Sequence, residues 1–197
     1  MLPALGFTVL IYIHGFNSSA RSFKARLTRT RMAALGREAD FLCPDLSPDP
    51  RAAITLLEAL VLRHRPHKPC LIGSSLGGFY ATWLAEKHGL KTVLVNPAVR
   101  AYELLSGAIG PQTNLYTGVP YEFTREHVAA LRKLEVERIT PERYLLITRT
   151  GDEVLDYRDA VERYRGCEQI VIEGGDHGFG DFANYVDRAL AFCGVVP

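Results

Sequence analysis

The stretch Leu71-Ile72-Gly73-Ser74-Ser75-Leu76-Gly77-Gly78 constrains this chain more than any other. A short, largely apolar run enters a G-x-S-x-G pattern and a helix-compatible run from Phe79 to Glu86 leaves it, so the local order is strand, abrupt turn, helix. A serine hydroxyl is inert near neutral pH unless it stands clear of the backbone, beside a base and amide donors. Gly73 and Gly77, two residues either side of Ser75, omit the Cβ atoms that would crowd so tight a turn, and Ser75 is expected in a strained backbone conformation. Ser75, rather than Ser74, is the expected nucleophile. By itself the pattern also fits a loop leading into a helix cap; it gains weight only if an acid and then a histidine follow at strand ends.

The rest of the chain supplies that setting. Phe7 to Ile13 is a β-branched, nearly continuous apolar run, the mark of a strand covered on both faces, and it ends at His14-Gly15-Phe16-Asn17. Ser22 to Leu35 reads as a helix with Phe23, Leu27, Arg31 and Leu35 at near-helical spacing. A short strand follows over Ala39–Cys43, and Asp49-Pro50 supplies an N-cap and first-turn proline for a helix through His64. Further strands are expected over Pro69–Ser74, Lys91–Asn96, Arg143–Thr148 and Gln169–Ile172, with helices over Leu76–His88, Asp156–Tyr164 and a final one marked by Phe182, Tyr185, Val186, Ala189 and Leu190. Strands alternating with helices imply an α/β class with a mainly parallel sheet of about six strands and helices on both faces. The chain length suits one domain over residues 1–197. Residues 98–142 break the rhythm, being too long for a plain loop, and read as a small cap over the sheet edge with a helix around Thr124–Leu134.

Composition narrows the class. Lys and Arg total 23 against 22 Asp and Glu, with no basic block, which argues against nucleic acid as a partner. No run reaches the roughly 18 apolar residues of a membrane span, and apolar Met1–Ile13 lacks the basic start of a signal peptide, reading instead as a first core strand. Cys43, Cys70, Cys167 and Cys193 lack paired-ligand spacing. Cys43 and Cys70 lie in apolar runs as expected buried free thiols, so a reducing cytoplasm and no structural zinc are expected.

A serine nucleophile needs a base, and histidine suits the task. His177 follows the last strand in Gly174-Gly175-Asp176-His177-Gly178, whereas His64, His67, His88 and His127 lie on or beside helices. The carboxylate that orients the base is assigned to Asp152, immediately after the Arg143–Thr148 strand. Glu153 is expected to point elsewhere, Asp156 reads as a helix N-cap, and Asp176 is too close to His177 in sequence to reach its far ring nitrogen. The order Ser75, Asp152, His177 is that of α/β-hydrolases. Oxyanion donors are expected from the backbone N–H groups of Leu76 and Phe16. His14 is expected to be structural and to tie its loop down. Apolar Phe16, Leu76, Tyr102, Tyr116 and Phe123 could line an acyl slot; His14, Asn17, Arg100 and Tyr102 are the wider set of candidate substrate contacts, and Arg21 and Arg125 could meet an anion on a leaving group. No cofactor is implied, since the loop after the first strand lacks G-x-G-x-x-G and no Walker lysine pattern occurs.

The joined motifs His14-Gly15-Phe16-Asn17-Ser18-Ser19, Gly73 to Leu84, Asn96-Pro97-Ala98-Val99-Arg100 and Thr150 to Arg158 resemble the YqiA/YcfP family of small bacterial esterases within the α/β-hydrolase superfamily. The resemblance extends over nearly the whole chain. It implies a three-layer α/β-hydrolase fold and a carboxylesterase acting on short or medium acyl esters, with Ser75, Asp152 and His177 as nucleophile, acid and base. A thioesterase using the same groups on acyl-CoA is the alternative, and a non-catalytic binding protein that keeps the hydrolase core is a second. A monomer and a homodimer are equally compatible with the sequence.

Overall fold

The computed structural model describes residues 8–196. Six strands form one all-parallel sheet: β1 (Leu10–Ile13), β2 (Phe41–Leu42), β3 (Cys70–Ser75), β4 (Thr92–Pro97) and, beyond a two-stranded hairpin of β5 (Gly110–Thr113) and β6 (Pro120–Phe123), β7 (Tyr144–Arg149) and β8 (Glu168–Ile172). The spatial order is β2-β1-β3-β4-β7-β8. The chain therefore moves to one side of β1 and then to the other, which opens a crevice between the carboxyl ends of β1 and β3. Parallel sheets bind ligands at such a reversal point. Phe7, where the first strand was expected to begin, lies outside the described residues.

Alternation along the strands separates two apolar layers. Ile11, Ile13, Leu71, Leu94 and Leu146 pack on one face against α2 (Pro50–His64), α3 (Leu76–His88), α5 (Arg125–Arg132) and α6 (Tyr157–Arg163). Leu10, Tyr12, Ile72, Val93 and Ile147 pack on the other against α1 (Phe23–Ala34) and α7 (Val186–Phe192). The Asp49 side chain caps α2 through the Arg51 amide, Gly89 ends α3 at φ +70°, and Asp156 caps α6 through Arg158.

Helix α1 turns differently from its sequence expectation. Its buried residues are Ala25, Thr28 and Met32, whereas Phe23 is 42 % exposed and Arg31 pairs with Asp187 of α7. Leu27 and Leu35 still pack at the edge of this layer, but the centre of the buried face falls one position over, on Ala25, Thr28 and Met32.

The cysteine reading also needs correction. Cys70, expected as a free thiol, is joined to Cys193 in a disulfide, with Cα atoms 5.5 Å apart. Both side chains belong to the α1/α7 layer, and a separation of 123 residues conceals their adjacency in the sequence. Cys43 and Cys167 are free. A reducing compartment, read from unpaired thiols, loses that support. Among the described residues no helix is long and apolar enough to cross a membrane, and no three His, Cys, Asp or Glu groups gather as a metal site.

Residues 98–142 carry the short α4 (Ala101–Leu104), the β5–β6 hairpin and α5. Helix α5 starts in a capping box in which the Thr124 side chain accepts from the His127 amide and the His127 ring accepts from the Thr124 amide. Phe123 is buried against α5, with Phe16 edge-on at a centroid distance of 5.2 Å. The hairpin was not expected from the sequence, because Gly110-Pro111-Gln112-Thr113 shows no strand periodicity.

Candidate active site

Ser75 ends β3 at φ +55° and ψ −125°, a region L-residues avoid, and α3 begins one residue later. The turn is this tight because its glycines allow backbone to touch backbone. A Cβ on Gly77 would stand 2.0 Å from the Ile13 carbonyl oxygen, and one on Gly73 would stand 2.5 Å from that of Gly77. The hydroxyl of Ser75 is thereby lifted over the sheet edge at the N-terminus of a thirteen-residue helix.

His177 lies after β8 in a glycine-rich turn. Its Nε2 is 3.1 Å from Ser75 Oγ and its Nδ1 is 2.8 Å from Asp152 Oδ2. A carboxylate accepts only, so Nδ1 carries the proton and Nε2 presents its lone pair to the serine hydroxyl. Asp152 is 1 % exposed at its side chain. Burial alone would raise its carboxyl pKa; the His177 hydrogen bond, the amides of Leu155 and Val154 and the nearby imidazole outweigh that and hold it below the ordinary value.

Three residues not anticipated for the role hold the histidine turn. Asn96, buried at the end of β4 with φ +41°, donates from Nδ2 to the carbonyls of Asp176 and His177 and accepts the Arg149 amide at Oδ1. Lys24 Nζ, from the first turn of α1, donates to the carbonyls of His177 (3.3 Å) and Gly178 (2.9 Å). Glu153, expected to point elsewhere, accepts the His177 backbone amide at 3.0 Å. Asn96-Pro97 at a strand end was the visible sign of the first; nothing in the local sequence marks Lys24.

The loop after β1 closes on the nucleophile. A Cβ on Gly15 would lie 3.0 Å from Ser75 Cβ, a tight contact that glycine avoids, so this backbone comes near without pressing on the nucleophile. Phe16 follows it, and Phe16 and Leu76 line a common cavity of about 280 Å³ with Tyr80, Val119 and Tyr121. A second cavity of about 320 Å³ holds Ser75 and His177 themselves, together with Tyr12, Ser22 and Lys24.

The other sequence candidates have definite places. His14 is buried, its Nδ1 donating to the Gly15 carbonyl and its Nε2 accepting the Leu46 amide, and burial lowers its pKa. Both ring nitrogens are occupied in fastening the loop. Asn17, at φ +53°, donates to Gln112 of β5 and accepts from the Tyr121 hydroxyl of β6. Arg21 donates to the Tyr116 carbonyl on the hairpin. Arg100 pairs with Glu103 and Asp159, and Tyr102 donates to Glu135; neither lines the two cavities beside Ser75. His88 bonds Glu58, and His127 caps α5.

Solved structures share this fold. A candidate hydrolase from Agrobacterium vitis S4 superposes with a TM-score of 0.74 at 18% identity, over 98% of this chain and 90% of its own. Est1E from Butyrivibrio proteoclasticus matches with a TM-score of 0.70 at 17% identity, over 93% and 85%. Mouse alpha/beta hydrolase domain-containing protein 10 gives 0.64 at 16%, over 94% and 87%. Such identities establish the fold, the α/β-hydrolase fold. Residues 9–194 match the uncharacterised protein family UPF0227, the YqiA/YcfP family, and the chain belongs to that family.

Proposed function

We propose that this protein is a serine hydrolase that cleaves short or medium acyl esters through an acyl-enzyme on Ser75. The observation that carries this reading is the unbroken line of hydrogen bonds from Asp152 through His177 to Ser75 at the carboxyl edge of the sheet. His177 Nε2 takes the Ser75 proton as Oγ attacks the ester carbonyl, and Asp152 stabilises the imidazolium that forms. The backbone N–H groups of Leu76 and Phe16 receive the developing oxyanion, the first aided by the N-terminus of α3. The tetrahedral species collapses as His177 returns the proton to the departing alkoxide oxygen. Water, deprotonated by the same nitrogen, then releases the acid.

The cavity of Phe16, Leu46, Leu76, Tyr80, Val119 and Tyr121 suits the acyl chain, since these groups form an apolar wall beside the proposed oxyanion donors, with polar residues such as Asp45 and Asn114 completing its lining. Residues 98–142 act as its cap, since the β5–β6 hairpin supplies Val119 and Tyr121 to that wall. The fold shared with Est1E, whose structure has been described with bound ferulic acid, is compatible with ester chemistry.

The test is a series of p-nitrophenyl esters from acetate to decanoate, with a fluorophosphonate probe and mass identification of the adduct. Turnover by the wild type and labelling at Ser75 are expected. Ser75→Ala should lower kcat/KM by on the order of 10⁴-fold or more while the protein stays folded. Equal turnover by the two proteins overturns the proposal, and a matched acyl-CoA series that outpaces the esters moves the substrate to thioesters.

A further inference from the structure

The two cavities beside Ser75 differ in chemistry, and the proton path assigns them to different parts of a substrate. In the mechanism above, on which this inference rests, the leaving oxygen must end beside His177 Nε2, because that nitrogen returns the proton. Of the two cavities, the one containing His177 and Ser75 is therefore the leaving-group side.

Positive charge and unused donors collect there. The cavity is lined by the ammonium of Lys24 and by no carboxylate. Tyr12, 1 % exposed, faces Ser74 yet its hydroxyl makes no hydrogen bond of ordinary geometry among the described residues, and the Ser22 hydroxyl is likewise buried without a partner. Buried donors left unsatisfied are unfavourable. Ser22 is also the N-cap of α1, but its side chain does not cap, and the first turn of that helix contains no acid. The positive end of a twelve-residue helix thus meets a lysine in its own first turn, Lys24, whose charge is only partly balanced by Asp152 and Asp176. Burial lowers the Lys24 pKa to about 8 against the opposing pull of Asp152 and Asp176, so the ammonium is mostly charged at neutral pH. Two of its three N–H groups hold the His177 and Gly178 carbonyls, and one remains.

We propose that the preferred substrate is an acyl ester whose leaving alcohol carries an anionic group, a carboxylate or a phosphate, seated between Lys24 and the N-terminus of α1 with Tyr12 and Ser22 as neutral donors. No step of the acyl transfer changes; the anion leaves with its alcohol.

The experiment compares butyryl esters of 3-hydroxybenzoate, 3-hydroxyphenyl phosphate and the uncharged 3-hydroxybenzamide, reading kcat/KM ratios. The wild type should favour at least one anionic ester over the amide by about tenfold, the size of one partly buried charge contact; the larger ratio tells carboxylate from phosphate. Lys24→Met should bring the ratios to within about twofold of unity, Lys24→Arg should keep them, and Tyr12→Phe should lower them about threefold. Because Lys24 also braces the histidine turn, a purely structural defect slows all three esters alike and leaves the ratios unchanged. Equal use of the three esters by the wild type, or ratios undiminished in Lys24→Met, overturns the proposal. In the first case, continued Ser75-dependent turnover of the amide ester leaves the hydrolase reading standing. No turnover of any ester together with no fluorophosphonate adduct removes both.

Discussion

The sheet edge that carries Ser75 and the hairpin that overhangs it are held by different kinds of force. At the edge, backbone packs on backbone: the glycines around Ser75 admit no Cβ, Ser75 and Asn96 sit at positive φ, and the strands beneath are buried throughout. The β5–β6 hairpin is anchored at its base by the buried Phe123, but toward its tip it is tied down by polar contacts, from Asn17 to Gln112 and Tyr121, from Asn114 to the Ser18 carbonyl and from Arg21 to the Tyr116 carbonyl. Its tip exposes Leu115 (81 %) and Val119 (58 %) to water. Close packing resists displacement because any shift costs contacts on every side, whereas a few partly exposed hydrogen bonds contribute about 1 kcal/mol each. In the proposed mechanism the edge would set the geometry of reaction, and the hairpin would set what reaches it.

Substitutions can break this contrast or sharpen it. The largest effect is expected from Asp152→Asn, which keeps the shape of the edge but removes the charge and the proper tautomer of His177. Its kcat/KM on p-nitrophenyl butyrate should fall about 10⁴-fold. The same carboxyl has a folded pKa below its ordinary 3.8, so its contribution to stability is complete above that value and is lost as pH falls through the lower folded value. Acid unfolding followed by circular dichroism should accordingly be less steep in that window in the variant, while Asp49, Glu58, Glu86 and Asp156, whose carboxyls are also held low, keep the remaining dependence.

Gly77→Ala comes next. Its methyl carbon would have to displace the Ile13 carbonyl, and the folded state should lose more than about 4 kcal/mol in urea unfolding. A loss under about 1 kcal/mol would mean that the edge yields as readily as the hairpin, and the contrast would fail.

Asn17→Gly keeps a residue suited to positive φ while deleting both side-chain bonds to the hairpin. A destabilisation of about 1–2 kcal/mol is expected, with KM for decanoyl esters rising severalfold more than KM for acetyl esters. Equal rises would detach the hairpin from acyl recognition. The smallest effect belongs to Leu115→Ser at the exposed tip, where the unfolding free energy should move by less than about 0.5 kcal/mol.

The same two regions differ in how openly they stand in the sequence. The strand-turn-helix around Ser75 is local: an apolar run, glycines at fixed offsets and a helical continuation lie within a single window, and the structure places β3 and α3 there with Gly89 closing the helix. Asp152 and His177 could be singled out because turn residues follow apolar strands, and parallel strands bring their ends to one edge. The hairpin was hidden since its strands contain Gly110, Pro111 and Pro120 and pair only with each other. The helix α1 was legible from its spacing, and Leu27 and Leu35 do reach the core, but the centre of its buried face, on Ala25, Thr28 and Met32, was not marked out because two of those residues are small.

By itself the sequence determined the α/β alternation, the strained turn at Ser75 and the order in which a hydroxyl, a carboxylate and an imidazole follow strand ends. These are matters of local backbone preference and period, which a short window contains. Only the tertiary structure decided that Cys70 meets Cys193, that Asn96, Lys24 and Glu153 brace the histidine turn, and that an apolar and a cationic cavity flank one serine. Those contacts join segments far apart in the chain, and their partners are chosen by how helices and strands pack in space.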